Sequence, residues 1–105
     1  MNIQSDTFTD AEVKQFLRNA AEDSGKVFYT AHAEQRAAER DIDRLDVIRI
    51  LRAGAIVEGP YFDNSKGNYR LTVEGKTSGR WIRVAVAVQP VEPENRSFAV
   101  IVTVI

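Results

Sequence analysis

A chain of 105 residues, 44% hydrophobic and 28% charged, makes one domain with a real but modest core. It has no cysteine and a net charge of −1, which excludes disulfides, thiolate metal sites and the basic excess of a non-specific nucleic-acid binder. No apolar run approaches the roughly 18–20 residues of a membrane span, and the polar stretch Met1–Thr9 shows no secretory signal, so a cytoplasmic protein is expected.

The chain reads as helices first and strands afterwards. Thr9-Asp-Ala-Glu12 is a capping-box pattern that opens a helix to about Ala21, with Val13, Phe16, Leu17 and Ala20 on one stripe. Asp23-Ser-Gly25 ends it. A second helix runs from about Thr30 to Arg40, and its Ala31, Ala33, Ala37 and Ala38 allow close approach to a neighbour. Asp43 can cap a third helix, which stops near Gly54 in what reads as a left-handed C-terminal cap. Val47, Ile48, Ile50 and Leu51 cover one broad side of this helix, and Asp46, Arg49 and Arg52 the other.

From Ala55 the apolar period changes to two. Ala55–Glu58 is a short strand broken at Gly59-Pro60, which Tyr61-Phe62 can continue before the turn 63–67. Tyr69, Leu71 and Val73 alternate with Arg70, Thr72 and Glu74 in a half-buried strand. The turn 74–79 leads back into Trp81–Gln89, where Ile82, Val84, Val86 and Val88 share one face. After a connection from Gln89 to Arg96, Phe98–Ile105 is apolar at nearly every position, which predicts a central strand buried on both sides. The expected fold is α+β: two or three N-terminal helices packed on one face of a three- or four-stranded, mainly antiparallel sheet.

The residues with chemistry gather in the second helix. His32, the only histidine, precedes Arg36 by four residues and Arg40 by eight, so the three side chains form one row about 12 Å long. Imidazole is the side chain best poised for proton transfer near neutral pH, and guanidinium forks suit phosphate oxygens. The same row can also be a solvated helix edge paired with Glu39 or nearby Asp residues. Residues 54–105 hold six Lys/Arg against five Asp/Glu, so any phosphate site is a local cluster. Arg80 and Arg83 flank Trp81-Ile82; Arg83 shares a face with Trp81, Ala85 and Ala87, where it can help stack a base or simply pack. Tyr69 reads as core or rim. Thr103, in an otherwise apolar last strand, either bonds to a neighbour or faces a site. No metal-ligand spacing, phosphate-binding glycine loop or nucleophile elbow is present, so no metal or cofactor is expected.

In order and spacing, His32-x-x-x-Arg36-x-x-x-Arg40-x-Ile42, Asp46-Val47, Leu51-x-x-Gly54-x-Ile56-x-Glu58, Tyr69-x-Leu71, Arg80 and Val102-Thr103-Val104 resemble the small bacterial family DUF4258. The resemblance covers about residues 30–105, and an N-terminal helix and linker (1–29) lie outside it. That family looks related to RelE-, BrnT- and MqsR-like toxins of the barnase-like class. The resemblance implies a helix-plus-antiparallel-sheet fold, metal-independent RNA cleavage or descent from it, and an antitoxin-like partner. On this reading His32 is the acid–base residue, Arg36, Arg40 and Arg80 stabilise the phosphate, and Tyr69, Arg83 and Thr103 contact RNA. The alternative is a non-catalytic module that recognises a protein through the same helix edge. Binding of a small anion by the arginine row is a third. No DNA-specific motif and no membrane contact are expected.

Overall fold

The computed structural model describes residues 8–22, 26–92 and 97–104. Helix α1 (Asp10–Glu22) opens on the reciprocal box read from sequence: Thr9 N–H donates to Glu12 Oε1 at 2.9 Å and Glu12 N–H to Thr9 Oγ1 at 3.1 Å. Its buried stripe is Val13, Leu17, Ala20 and Ala21, with Phe16 packed at the margin. The predicted stop at 23–25 lies outside the described residues. Strand β1 (Val27–Tyr29) follows, then α2 (Ala31–Glu39) and α3 (Arg44–Ala53). Four strands complete the chain: β2 (Ala55–Asp63), β3 (Asn68–Thr77), β4 (Arg80–Glu92) and β5 (Ser97–Val104).

The fold is α+β, with the helices in the N-terminal half and a five-stranded mixed sheet of order β1-β5-β4-β3-β2. Every neighbouring pair is antiparallel except β1, which runs parallel to β5 with Phe28 opposite Ile101. The sheet thus has more strands than the three or four expected. The additional one, β1, is three residues long, too short for a period-two pattern to emerge.

Helices α1 and α3 cover one face of the sheet. Tyr69, Leu71 and Val73 of β3, Ile82, Val84, Val86 and Val88 of β4, and Val100 and Val102 of β5 point into that layer and are buried. They meet Leu17 of α1 and Val47, Ile50 and Leu51 of α3. Strand β5 is interior to the sheet as expected, but it is not buried on both sides, because Ile101 and Thr103 are half-exposed on a second face that no helix covers. Strand β4 also continues through Gln89 and Pro90 to Glu92, where a connection was expected; the register slips between Pro90 and Glu92, which accommodates a residue without an amide donor.

Two side-chain devices join the layers. Asp43 and Asp46 form a second capping box at the start of α3, and Asp46 also accepts from Thr77 Oγ1 at 2.8 Å. Asp46 is therefore buried, not on the wet side of α3 as its spacing suggested. Its hydrogen bond from Thr77, reinforced by the Asp43 backbone, lowers the carboxyl pKa below its usual value against the opposing effect of burial. At the far end of α3, Arg18 of α1 donates to the carbonyls of Leu51 at 2.6 Å and Gly54 at 2.9 Å. Gly54 has φ −72°, so the expected left-handed cap is absent. Glycine stands there for space: a Cβ would lie 2.6 Å from the Ile50 carbonyl oxygen and 2.8 Å from that of Glu74. No helix among the described residues is long and apolar enough to cross a membrane.

Candidate functional site

Helix α2 sits beside the ends of β5 and β1, begun by Thr30, whose Oγ1 accepts from Ala33 N–H at 2.9 Å. Ala33 is fully buried and fixes the rotation of the helix. On one flank Glu34 pairs with Arg44 at 3.1 Å, and the Arg44 guanidinium lies 4.6 Å from the centre of the Tyr29 ring. This flank borders a mostly apolar groove of about 280 Å³ floored by Ala37, Ile42 and Val47. Counting about 100° per residue, His32 and Arg36 fall on the other flank of Ala33, away from the Glu34–Arg44 pair.

The row of three is therefore real but uneven. His32, in the first turn, is exposed, and its imidazole has no hydrogen-bond partner among the described residues. Arg36 is half-buried, and its Nε is buried without a partner. Arg40 caps the helix with its side chain exposed. The chain then turns through Asp41 (φ 57°), with Asp41 N–H donating to Ala38 O at 3.2 Å and Ile42 N–H to Ala37 O at 2.8 Å. That pair of bonds is a Schellman ending with aspartate at the left-handed position.

Arg80 reaches this end of the row. Its Nη1 donates to the Arg40 carbonyl and its Nη2 to the Asp41 carbonyl, so the guanidinium covers a helix C-terminus, where cations are favoured. Since a guanidinium carries five N–H donors, the remainder are uncommitted by these two bonds. Arg80 is thus beside Arg40, while His32 lies two turns away at the other end of α2.

The three remaining expected residues separate. Tyr69 belongs to the core: it is 5% exposed, its hydroxyl accepts from Phe8 N–H at 2.9 Å, and its ring meets Phe62 at 5.0 Å and Phe8 at 6.2 Å. Arg83 and Thr103 stand on the opposite, uncovered face. There Arg83 Nε pairs with Glu74 at 2.9 Å.

That face is built in rows across the strands. One row runs Phe28, Ile101, Ala87, Arg70, Tyr61; the next holds Thr103, Ala85, Thr72 and Glu58. Small side chains at the centre leave a groove of about 210 Å³ between Thr103 and a rim of Lys66, Asn68 and Arg70. Arg70 pairs with Asp63 at 3.5 Å. Asp63 also accepts from Ser65 and the Lys66 backbone, and these bonds, led by the Ser65 hydroxyl, hold its carboxyl below the usual range. Lys66 pairs with no carboxylate among the described residues. Trp81, 69% exposed, lies on the same face opposite Lys76.

Lys66, Asn68 and Arg70 did not stand out in the sequence. The alternation that sends Tyr69 and Leu71 inward sends Asn68 and Arg70 outward, which was the available signal.

The model of the family described as a domain of unknown function (DUF4258) matches residues 29–105. The chain belongs to the DUF4258 family. The match begins at Tyr29, the last residue of β1, and takes in α2, α3 and β2 to β5, leaving α1 and Phe28 outside it. No curated protein and no solved structure matches the chain.

Proposed function

We propose that this DUF4258 protein is a toxin-like, metal-independent ribonuclease, or a descendant of one, acting on RNA in the cytoplasm. The supporting observation is the uncovered sheet face: cations at Lys66, Arg70 and Arg83, exposed aromatic rings at Phe28, Tyr61 and Trp81, and α2 along its end. Single-stranded RNA is held by such a combination, with backbone phosphates on cations and splayed bases on aromatic rings. The balanced net charge suits a local binding face over a general affinity for polyanions.

The chemistry asked of the residues is limited. A base removes the proton of a ribose 2′-hydroxyl, the oxygen attacks phosphorus, and the bond to the 5′-oxygen breaks as that oxygen gains a proton. His32 is the group that exchanges one of these protons. Arg36, Arg40 and the uncommitted donors of Arg80 stabilise the charge of the pentacoordinate phosphate. Purified chain incubated with total RNA should release fragments ending in 2′,3′-cyclic phosphate, and His32→Ala should lose this activity along with growth inhibition. An inactive wild type would end the enzymatic reading.

A second reading is favoured by one observation. The exposed large apolar residues Phe28, Val57, Tyr61 and Trp81 lie on or beside the same face, as on a surface covered by a protein partner. An antitoxin-like protein is the partner this reading calls for. Arg36→Glu with Arg40→Glu should then abolish capture of that partner without unfolding the chain, and unchanged capture would reject the helix edge as its contact.

A further inference from the structure

We infer that one RNA strand lies along β3 and β4 on the uncovered face, with a base stacked on Trp81 and phosphates on Lys76 at one end and Lys66 at the other. The inference rests on the reading of this face as an RNA surface. It adds the path of the strand, a length of about four nucleotides and indifference to base identity.

Trp81 fixes one end. Its ring is 69% exposed although it belongs to a paired strand, and its indole has no hydrogen-bond partner, ring or guanidinium against it among the described residues. The strand backbone holds the ring in place, so a flat group that covers it costs little conformational freedom. The kind of group follows from the neighbours. On the same face Lys76 stands directly across from Trp81, and Arg83 two residues along. The centre of a protein–protein contact is depleted in charge, whereas an aromatic ring among cations suits a base carried on a chain of phosphates.

The path follows from where the free cations lie. Lys76 and Lys66 are exposed, pair with no carboxylate among the described residues, and stand toward opposite ends of β3. Arg70 joins Lys66 at its end. From the Lys76–Trp81 pair to the Arg70–Ala87 pair the strands advance about 20 Å. Between these pairs Arg83 neutralises Glu74 at 2.9 Å, and Thr72 opposite Ala85 is short enough to let a strand lie close to the sheet. A strand laid across the sheet instead would follow the row from Thr103 to Glu58, which has a carboxylate and no cation. About four nucleotides is the low end of single-strand site sizes and suits the length between the pairs. A ring stacks on the face of any base, so the site is tolerant of sequence.

Trp81 is the only tryptophan in the chain, so intrinsic fluorescence reports on this ring alone. The probes for the full chain are 2′-O-methyl oligouridylates of two, four and eight nucleotides, which lack the hydroxyl needed for cleavage, with the cytidylate tetramer and inorganic tripolyphosphate beside them. The uridylate tetramer should quench Trp81 and bind about tenfold more tightly than the dimer, with the octamer and the cytidylate tetramer within about threefold of it. Lys66→Gln should weaken the tetramer but not the dimer, which does not reach from Trp81 to Lys66. Lys76→Gln should weaken both, and each substitution should lower the salt slope of tetramer binding by about 0.7. Trp81→Ala, followed by anisotropy of a labelled tetramer, should lose about tenfold in affinity at an unchanged thermal midpoint, and Trp81→Phe should recover most of it. Binding without quenching, a dimer or tripolyphosphate as tight as the tetramer, or undiminished binding by Trp81→Ala would each overturn the track. If no oligomer binds, the track fails together with the RNA surface, and Trp81 passes to the protein-docking reading. A chain that binds the tetramer as expected but leaves total RNA intact would reject the ribonuclease reading alone. RNA cleavage undiminished in Trp81→Ala would reject the track alone.

Discussion

The guanidinium of Arg80, at the start of β4, is joined to the backbone of Asp41, at the end of α2, by a 2.7 Å hydrogen bond, with a second to the Arg40 carbonyl at 2.5 Å. One side chain thus connects the β3–β4 hairpin to the helix that carries His32. Arg80→Ala should cost about 1 kcal/mol through loss of a charged helix-end interaction. In thermal denaturation that is a fall of roughly 4–8 °C for a domain of this size. Lysine, which cannot fork to two carbonyls, should restore only part of it. An unchanged midpoint for Arg80→Ala would free Arg80 from any structural duty.

Asp41 itself is left-handed, a conformation in which a side chain is strained and glycine is not. Asp41→Gly should therefore raise stability by about 0.5–1 kcal/mol, since the two carbonyl-directed bonds of the ending use backbone atoms alone. Chemical denaturation would show this as a higher midpoint at constant slope. A lower midpoint would mean that the Asp41 carboxylate contributes more than the strain costs.

Asp46 makes stability depend on pH in a defined direction. Its carboxyl pKa in the folded chain is lowered by the Thr77 hydrogen bond, so folding favours the ionised form. The stabilisation is complete above the unfolded value of about 3.9 and is lost as pH falls through the lower folded value. Asp46→Asn should be less stable than wild type near pH 7, and the gap should narrow as pH drops below about 4. Parallel curves for the two proteins from pH 7 to pH 2 would exclude Asp46 as the source.

Tyr69→Phe separates two roles for one ring. The hydroxyl holds Phe8 N–H from within the core, so its removal should cost about 0.5–1.5 kcal/mol. RNA cleavage should be unaffected, because Tyr69 is buried under the helices on the side of β3 opposite Arg70. A loss of cleavage with no loss of stability would return Tyr69 to the substrate-contacting set.

The helices were legible because their starts are written locally. Thr9 with Glu12, and Asp43 with Asp46, each lie within four residues of one another, and the apolar positions repeat at the helical period. Strands β3 and β4 were legible for the matching reason, since Tyr69 to Val73 and Ile82 to Val88 alternate without a break. Strand β1 was not, because its partner in β5 lies in the last eight residues described and its own three residues carry no pattern. The bare second face of β5 was hidden by Ala99 and Ile101, which are apolar yet half-exposed, as surface positions commonly are. Within the site, the spacing of His32, Arg36 and Arg40 could be read directly. The direction in which the row faces could not, because it is set by the burial of Ala33 against other elements, with Glu34 pairing Arg44 on the flank away from His32. The hold of Arg80 on α2 depends in the same way on where a distant hairpin ends.

The parity of β3 and β4 has a consequence for how this chain can change. In these two strands most even-numbered positions of β4 and odd-numbered positions of β3 hold the helices, while their neighbours face outward with no layer above them. Substitutions at Arg70, Ala85 or Ala87 should therefore alter what the molecule recognises while scarcely touching the free energy that keeps it folded. Recognition and stability are carried by alternating letters of the same two segments, so this scaffold can acquire a new ligand one residue at a time without first losing its shape.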